Sequence, residues 1–330
     1  MTYPFISTYY LDTESHALAN RHGNEIPWLL FRLSLLQPSL TWIALNAGFP
    51  ANNPAVYELY WSPSQILART HPNLFKTQSF LMSHWHSADK TALLSTSHPT
   101  SYADRLRIRQ PGDTGFALGP HVDGGSCERW EPNGYGRGGV YDEIWKGNWR
   151  AYDPWEASCR LRVVSDLYNG AGACSMFRMF QGWLSMSETG PGEGTLMVNP
   201  LLNKATAYFL LRPLFQPKKA PAEAYGSAFL DPDNWKLEEQ PSPVLQGAVP
   251  SNCQELNATM HPHLDLEHTM VHVPSIRPGD YVAWHCDSKC SPRSGIGRKF
   301  ADYSHQRYTQ WTKSTLAEPI QASCTYLPVH

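Results

Sequence analysis

The rhythm of apolar and polar positions changes along this chain, and each change predicts an element. In "SPSQILARTHPNLFKTQSFLMSHWH", Leu74, Gln78, Leu81 and Trp85 recur three or four residues apart, which predicts helical segments between Asn46 and about Leu94. Ser62 and Pro63 suit the start of the first. A hydroxyl there accepts from an orphaned amide, and proline at the first helical position has no amide to leave unpaired. After "HPTSYADRLRIRQPGD" the period shortens: Leu106 and Ile108 alternate with Arg105, Arg107 and Arg109, a half-buried strand ending at the turn Pro111-Gly112-Asp113. Further strands are expected at 160–167, 176–187, 194–200, 270–276 and 280–286, separated by Gly/Pro turns. Residues 201–215 read as a helix, and the Pro-rich stretch 216–260 reads as a surface insertion.

Short antiparallel strands with Gly/Pro corners behind a helical region predict a mainly β fold with flanking helices. The expected form is a double-stranded β-helix, the cupin-like jelly roll, with a generic α+β domain as its competitor. The corresponding division is an N-terminal helical region over 1–95, a core over 96–287 carrying the 216–260 insertion, and an atypical tail over 288–330.

Composition narrows the chemistry. The net charge of −2 comes with no Lys/Arg-rich block, which argues against nucleic acid as a partner. The apolar run Trp28–Leu36 is interrupted by Arg32, so neither a leader peptide nor a membrane span is expected. Seven cysteines, an odd number without regular spacing, read as reduced thiols of a cytoplasmic protein. Twelve Trp and 16 Tyr beside 27 Pro fit aromatic-lined pockets on a loop-rich β scaffold, although a large aromatic core would use the same residues.

The stretch "ALGPHVDGG" carries the candidate chemistry. In a strand, residues two apart project to one face, so His121 and Asp123 would offer an imidazole and a carboxylate side by side. Gly124 and Gly125 would let the backbone pass close to a ligand. Two imidazoles and one carboxylate on one face of a metal is the donor set of non-haem iron enzymes, and His-x-Asp supplies two of the three. The pattern alone is weak. A second copy, His263-Leu264-Asp265, reads as a polar loop or helix start. A third ligand is sought on a later strand, where "RPGDYVAWHCDSKC" offers His285 after a Pro-Gly-Asp turn.

From Asn46 to Asp287 the chain closely resembles the family of domain of unknown function 1479. The resemblance rests on "VYELYWSPSQ", "RLRIRQPGD", "LGPHVDGGSCERW", "YDPWEAS", "FRMFQGWLSMSETGPGEGTL" and "RPGDYVAWHCD". That family is similar to the iron(II)/2-oxoglutarate dioxygenases near phytanoyl-CoA hydroxylase and clavaminate synthase. The resemblance implies a jelly roll, one Fe(II), and 2-oxoglutarate and O₂ as co-substrates, but it does not supply a substrate; the expected reaction is hydroxylation or desaturation of a small organic molecule, with fungal secondary metabolism as a setting. In the family the last motif continues as His-Cys-Asp-x-x-His-Ala-Val, whose second His is the expected distal ligand; here that position is Cys290. Three readings follow. The sequence beyond Asp287 has changed frame or splice site; or the site is rebuilt with His285 or Cys290 as third ligand; or the protein is a catalytically inactive jelly roll that binds a small molecule.

2-Oxoglutarate also needs a cation for its far carboxylate, preferably a guanidinium. Arg107 and Arg178 are the candidates, and an ordinary structural ion pair is the competing reading for each. Trp130, Gln181 and Trp183 are candidate cavity walls, with core packing the alternative for the two Trp. "GPGEGTL" reads as a turn before a strand, since it lacks the Lys-Ser/Thr of a phosphate loop.

Overall fold

The computed structural model describes residues 7–9, 48–49, 56–57, 63–100, 105–109, 119–170, 175–221, 223, 226–240, 242–294 and 308–312. Ser62, the 111–113 turn and residues 171–174 lie outside the described residues. In chain order the strands are β1 (Ser7–Tyr9), β2 (Gly48–Phe49), β3 (Val56–Tyr57), β4 (Arg105–Arg109), β5 (His121–Val122), β6 (Phe180–Leu184) and β7 (Glu193–Val198). They continue with β8 (Phe215–Pro217), β9 (Trp235–Leu237), β10 (Gln254–Glu255), β11 (Val271–His272), β12 (Tyr281–His285), β13 (Cys290–Ser294) and β14 (Tyr308–Thr312). The helices are α1 (Pro63–Arg69), α2 (Pro72–Met82), α3 (Asp142–Trp145), α4 (Leu202–Leu211), α5 (Ser227–Leu230) and α6 (Leu266–Thr269), with several 3₁₀ turns between them.

The chain divides into two compact units. The first comprises Met1–Gly119, Met179–Pro200 and Met270–Ser314; the second comprises Pro120–Arg178, Leu201–Thr269 and Thr315–His330. Among the described residues of the first unit the following strand pairs are antiparallel. Strand β12 lies between β1 and β6, β7 lies between β11 and β13, and β14, β4, β3 and β2 follow one another. Its core gathers Leu106, Trp183, Met186, Leu196, Val198, Val273, Ile276, Val282 and Cys290. Burying each large apolar side chain contributes about 1.5–3 kcal/mol, so this cluster is what holds the strands in register. Gly182 faces Ala283 across the β6–β12 pair, and an added Cβ would stand 2.2 Å from the Val282 carbonyl oxygen. The "GPGEGTL" turn behaves as expected. Gly192 and Gly194 take positive φ, the Glu193 carboxylate accepts from the Gly190 amide at 2.6 Å, and β7 follows directly.

The second unit is more helical. Helix α4 buries Leu202, Ala205, Thr206, Ala207, Phe209 and Leu210, a wide apolar face that packs on α3, whose Ile144 is fully buried. The β8–β9 pair and the short β5–β10 pair complete it.

Several expectations need correction. Residues 160–167 do not form a strand: a 3₁₀ helix occupies Ser158–Arg162, because the Glu156 carboxylate accepts from the Ser158 and Cys159 amides and starts a turn there. The 270–276 strand shrinks to Val271–His272, whose partner is the end of β7. Arg105 and Leu106 are both buried, so β4 is not a simple half-buried ribbon. The stretch after Asp287 does contain a strand. Strand β13 pairs with β7, Cys290 opposite Val198 and Ser291 opposite Met197, although "CSPRS" shows no alternation. Pairing with an existing strand supplies what local pattern does not. The 216–260 stretch carries β8, β9 and β10, and Gln254 and Leu256 are buried, so it is not wholly a surface excursion. The architecture shown is mixed: several antiparallel sheets and a few helices. Among the described residues no helix is long and apolar enough to cross a membrane.

Candidate metal centre

His121 opens β5 in the second unit, with Glu255 opposite it and Gln254 opposite Val122. The Leu256 amide donates to the Pro120 carbonyl at 2.8 Å and extends the pairing backwards. The extended backbone puts His121 and Asp123 on one face, and Nε2 of His121 stands 3.5 Å from Oδ1 of Asp123. His121 is buried and Asp123 half-buried. Burial raises the Asp123 carboxyl, but the hydrogen bond and charge of His121, reinforced by Arg178 and Arg129, outweigh it and hold the group below its ordinary value. An ionised carboxylate beside a buried imidazole is a donor pair that fits a divalent first-row cation.

The loop behind the pair is held from below. Gly124 and Gly125 take φ of +85° and +86°, and a Cβ on Gly125 would stand 2.7 Å from the Ser165 carbonyl oxygen. Only glycine fits there. The Ser126 amide donates to the Glu128 carboxylate at 2.8 Å, and Arg129 and Tyr135 donate to the carbonyls of Asp123 and Gly124. Continuing the β5–β10 register by one residue sets Cys253 opposite Asp123, and its thiol feels the charges of both His121 and Asp123. Burial is the main reason that this thiol is pushed up. Cys253, Arg129, Tyr135 and Tyr141 were not anticipated from sequence. Only strand register and the fold of the 124–141 loop bring them in.

Arg178 acts on Asp123 electrostatically within the second unit. Arg107 lies in the first unit, on β4, opposite Val56 and Gln310. His285 ends β12, buried, and stacks on Trp85 at 4.8 Å with the rings 9° apart. Its Nδ1 accepts from the Asp287 amide at 3.0 Å, which places the proton of the neutral ring on Nε2. His285, Cys286 and Asp287 bring one ligand atom each within 4.8 Å of one another. Cys290, 2% exposed, belongs to the core of the first unit. Trp183 packs in that same core against Trp284, and Gln181 pairs with Trp284 on β12. Trp130 donates its indole N–H to the Leu210 carbonyl at 2.9 Å and meets Phe209 edge-on, as a core anchor does.

The comparisons with known proteins bear on this geometry. YbiU of Escherichia coli K12, a protein described only as uncharacterised, is 35% identical over 238 residues, which cover 72% of this chain and 50% of that protein. The chain thus spans about half the length of the curated relative it matches. The crystal structure of GlcNAc Inducible Gene 2, GIG2 (DUF1479), from Candida albicans aligns with a TM-score of 0.66 at 30% identity, over 87% of this chain and 59% of that one. A crystal structure named "Putative Oxidoreductase" from Salmonella typhimurium LT2 aligns with a TM-score of 0.65 at 27% identity, over 93% and 71% of the two chains. The Gig2-like family profile matches residues 39–291. With His121, Asp123 and the supporting loop inside that span, this chain belongs to the Gig2-like family of DUF1479-type proteins.

Proposed function

We propose that this protein is a non-haem iron(II)- and 2-oxoglutarate-dependent oxygenase, with a jelly-roll core, that hydroxylates or desaturates a small organic molecule. The observation that carries the reading is the His121–Asp123 pair: a buried imidazole 3.5 Å from a carboxylate held ionised. The oxidoreductase wording carried by the Salmonella relative is in keeping with it. His121 and Asp123 hold the metal. For the third ligand the sequence offers Cys290, at the chain position where the resembling family has its distal His, and a thiolate can bind iron. His285 serves less well, because its acceptor nitrogen is already engaged by the Asp287 amide. Iron(II) with 2-oxoglutarate, when bound, supplies the O₂-activating chemistry that removes a substrate hydrogen. The chain's own residues do the rest. Arg178, whose charge reaches Asp123, receives the far carboxylate of 2-oxoglutarate, and the buried side of His121 limits water.

A second reading has a specific observation in its favour: a thiol where the donor set calls for an imidazole. On it, the protein binds 2-oxoglutarate or a small ligand without turnover. The test is anaerobic titration with Fe(II) and 2-oxoglutarate, following the visible metal-to-ligand charge-transfer band, in the protein and in Cys290→His. A band in the protein itself, with succinate released on admitting O₂, supports the oxygenase. A band only in Cys290→His supports the silent binder. Absence in both overturns the iron site.

A further inference from the structure

Arg129 is 1% exposed, so its guanidinium has given up water, a costly loss for an ion unless well-placed partners replace it. Neutral oxygens and an aromatic face are among its partners. Nη2 donates to the Asp123 carbonyl at 2.5 Å and reaches the Gly124 carbonyl at 3.5 Å, while Nη1 donates to the Tyr141 hydroxyl at 2.6 Å. The guanidinium carbon stands 4.7 Å from the centre of the Tyr135 ring, and the Tyr135 hydroxyl donates to the same Gly124 carbonyl at 2.6 Å. Tyr135 and Tyr141 stack at 5.2 Å. Two successive carbonyls therefore turn toward one buried cation, an arrangement that the positive φ of Gly124 and Gly125 permits.

We propose that Arg129, braced by Tyr135 and Tyr141, is the positioning residue of the candidate centre: by clamping the Asp123–Gly124 peptide it fixes the direction in which the Asp123 carboxylate leaves the backbone. The proposal rests on the reading that Asp123 is a metal ligand. The rigid fork of arginine suits the task because it serves two carbonyls and a hydroxyl at once, whereas an ammonium is a point charge. Groups that orient a ligand from behind typically govern metal affinity by 10–100-fold.

The experiment compares Arg129→Lys, Arg129→Met and Tyr135→Phe with the full chain in three measurements: Co(II) affinity with its visible ligand-field spectrum, hydrogen exchange of the 124–126 amides without metal, and thermal unfolding. Both Arg129 variants are expected to weaken Co(II) binding by roughly 10–100-fold and shift the spectrum, with lysine giving no rescue. Exchange at 124–126 should quicken locally. Tyr135→Phe, which keeps the ring under the guanidinium, should lose a few-fold in affinity and show the same spectral shift while remaining folded. Unchanged affinity, spectrum and local exchange, with only a lower unfolding temperature, would overturn the proposal and leave Arg129 a packing residue. If the protein itself takes up no Co(II) while the 124–126 amides still loosen in the variants, the clamp stands and the metal reading is what fails.

Discussion

The second unit contains the same tripeptide pattern twice, and the two copies fold to opposite ends. His121-Val-Asp123 is extended, so the side chains two apart share a face and meet at 3.5 Å. His263-Leu-Asp265 lies in a 3₁₀ turn over Pro262–Leu264 that Asp265 closes in the left-handed region, φ 45° and ψ 52°. At about three residues per turn, side chains two apart diverge. His263 turns into an aromatic cluster with Tyr208 and Trp235 and donates from Nε2 to the Leu230 carbonyl, while Asp265 accepts from His268 at 2.7 Å. A histidine and an aspartate at fixed spacing thus carry no chemistry until the backbone assigns them a face.

The largest effect should come from swapping the two aspartates' fates. Asp123→Ala removes a proposed ligand and should lower Co(II) or Fe(II) affinity more than about 100-fold, since even indirect support is worth 10–100-fold. Asp265→Ala should leave it unchanged. Calorimetric titration of the two variants decides it: equal losses, or none in either, would erase the distinction drawn between the copies.

The second copy's neighbourhood should announce itself through stability rather than binding. His261 is fully buried beside Tyr208, with Arg212 close by, and burial and then the Arg212 charge push it down to about 4 from 6.5. Tyr208 is pushed up to about 12 by burial, and His263 is also lowered by burial, so neither carries a charge at neutral pH, whereas Arg212 does. The folded His261 takes its proton later than the unfolded one. Its contribution is therefore complete above pH 6.5 and is lost as pH falls from there to 4, by about 3 kcal/mol. Urea unfolding at several pH values, with His261→Asn for comparison, reads this directly. A variant that keeps the full acid slope would show that the loss arises elsewhere.

A third contrast tests how much of the first copy's shape depends on glycine. Gly125→Ala combines a φ of +86° with a Cβ 2.7 Å from a carbonyl oxygen, and should cost about 3 kcal/mol. Gly192→Ala, in the first unit, has nearly the same φ of +85° and open space around it, so strain alone should cost about 1 kcal/mol. The difference between the two unfolding free energies measures the crowding beneath the candidate centre.

These contrasts also show what could be read in the sequence. The family, the strands at 180–184, 193–198 and 281–285, the helix at 202–211 and the meeting of His121 with Asp123 were legible, because each rests on local periodicity or on residues two apart. What failed depended on partners far along the chain. Strand β13 exists through β7, and the turn at 158–162 exists through a Glu156 cap that outweighs the alternation of "RLRVV". Cys253 reaches Asp123 only through a strand register joining segments about 130 residues apart, and Arg129 through a loop that returns upon itself. Arginines were sought for a ligand's carboxylate, whereas Arg129, buried behind the candidate centre, donates to a backbone carbonyl instead.

The smallest expected effect falls on Asp265 itself and is the sharpest check on the second copy. Its left-handed backbone costs an aspartate little, about 1 kcal/mol or less, and glycine removes even that. The Asp265–His268 pair that it forms is exposed, and pairs of that kind add little to stability. Asp265→Gly should therefore shift the unfolding free energy by no more than about 0.5 kcal/mol, because relief of the backbone and loss of the pair act in opposite directions. His268 should nevertheless respond. The Asp265 hydrogen bond and charge hold its titration above 6.5, so the midpoint followed by NMR should fall back toward that value in the variant. A stationary midpoint, or a large loss of stability, would mean that Asp265 has partners other than His268, and that the second copy is more tightly built than its open surface suggests.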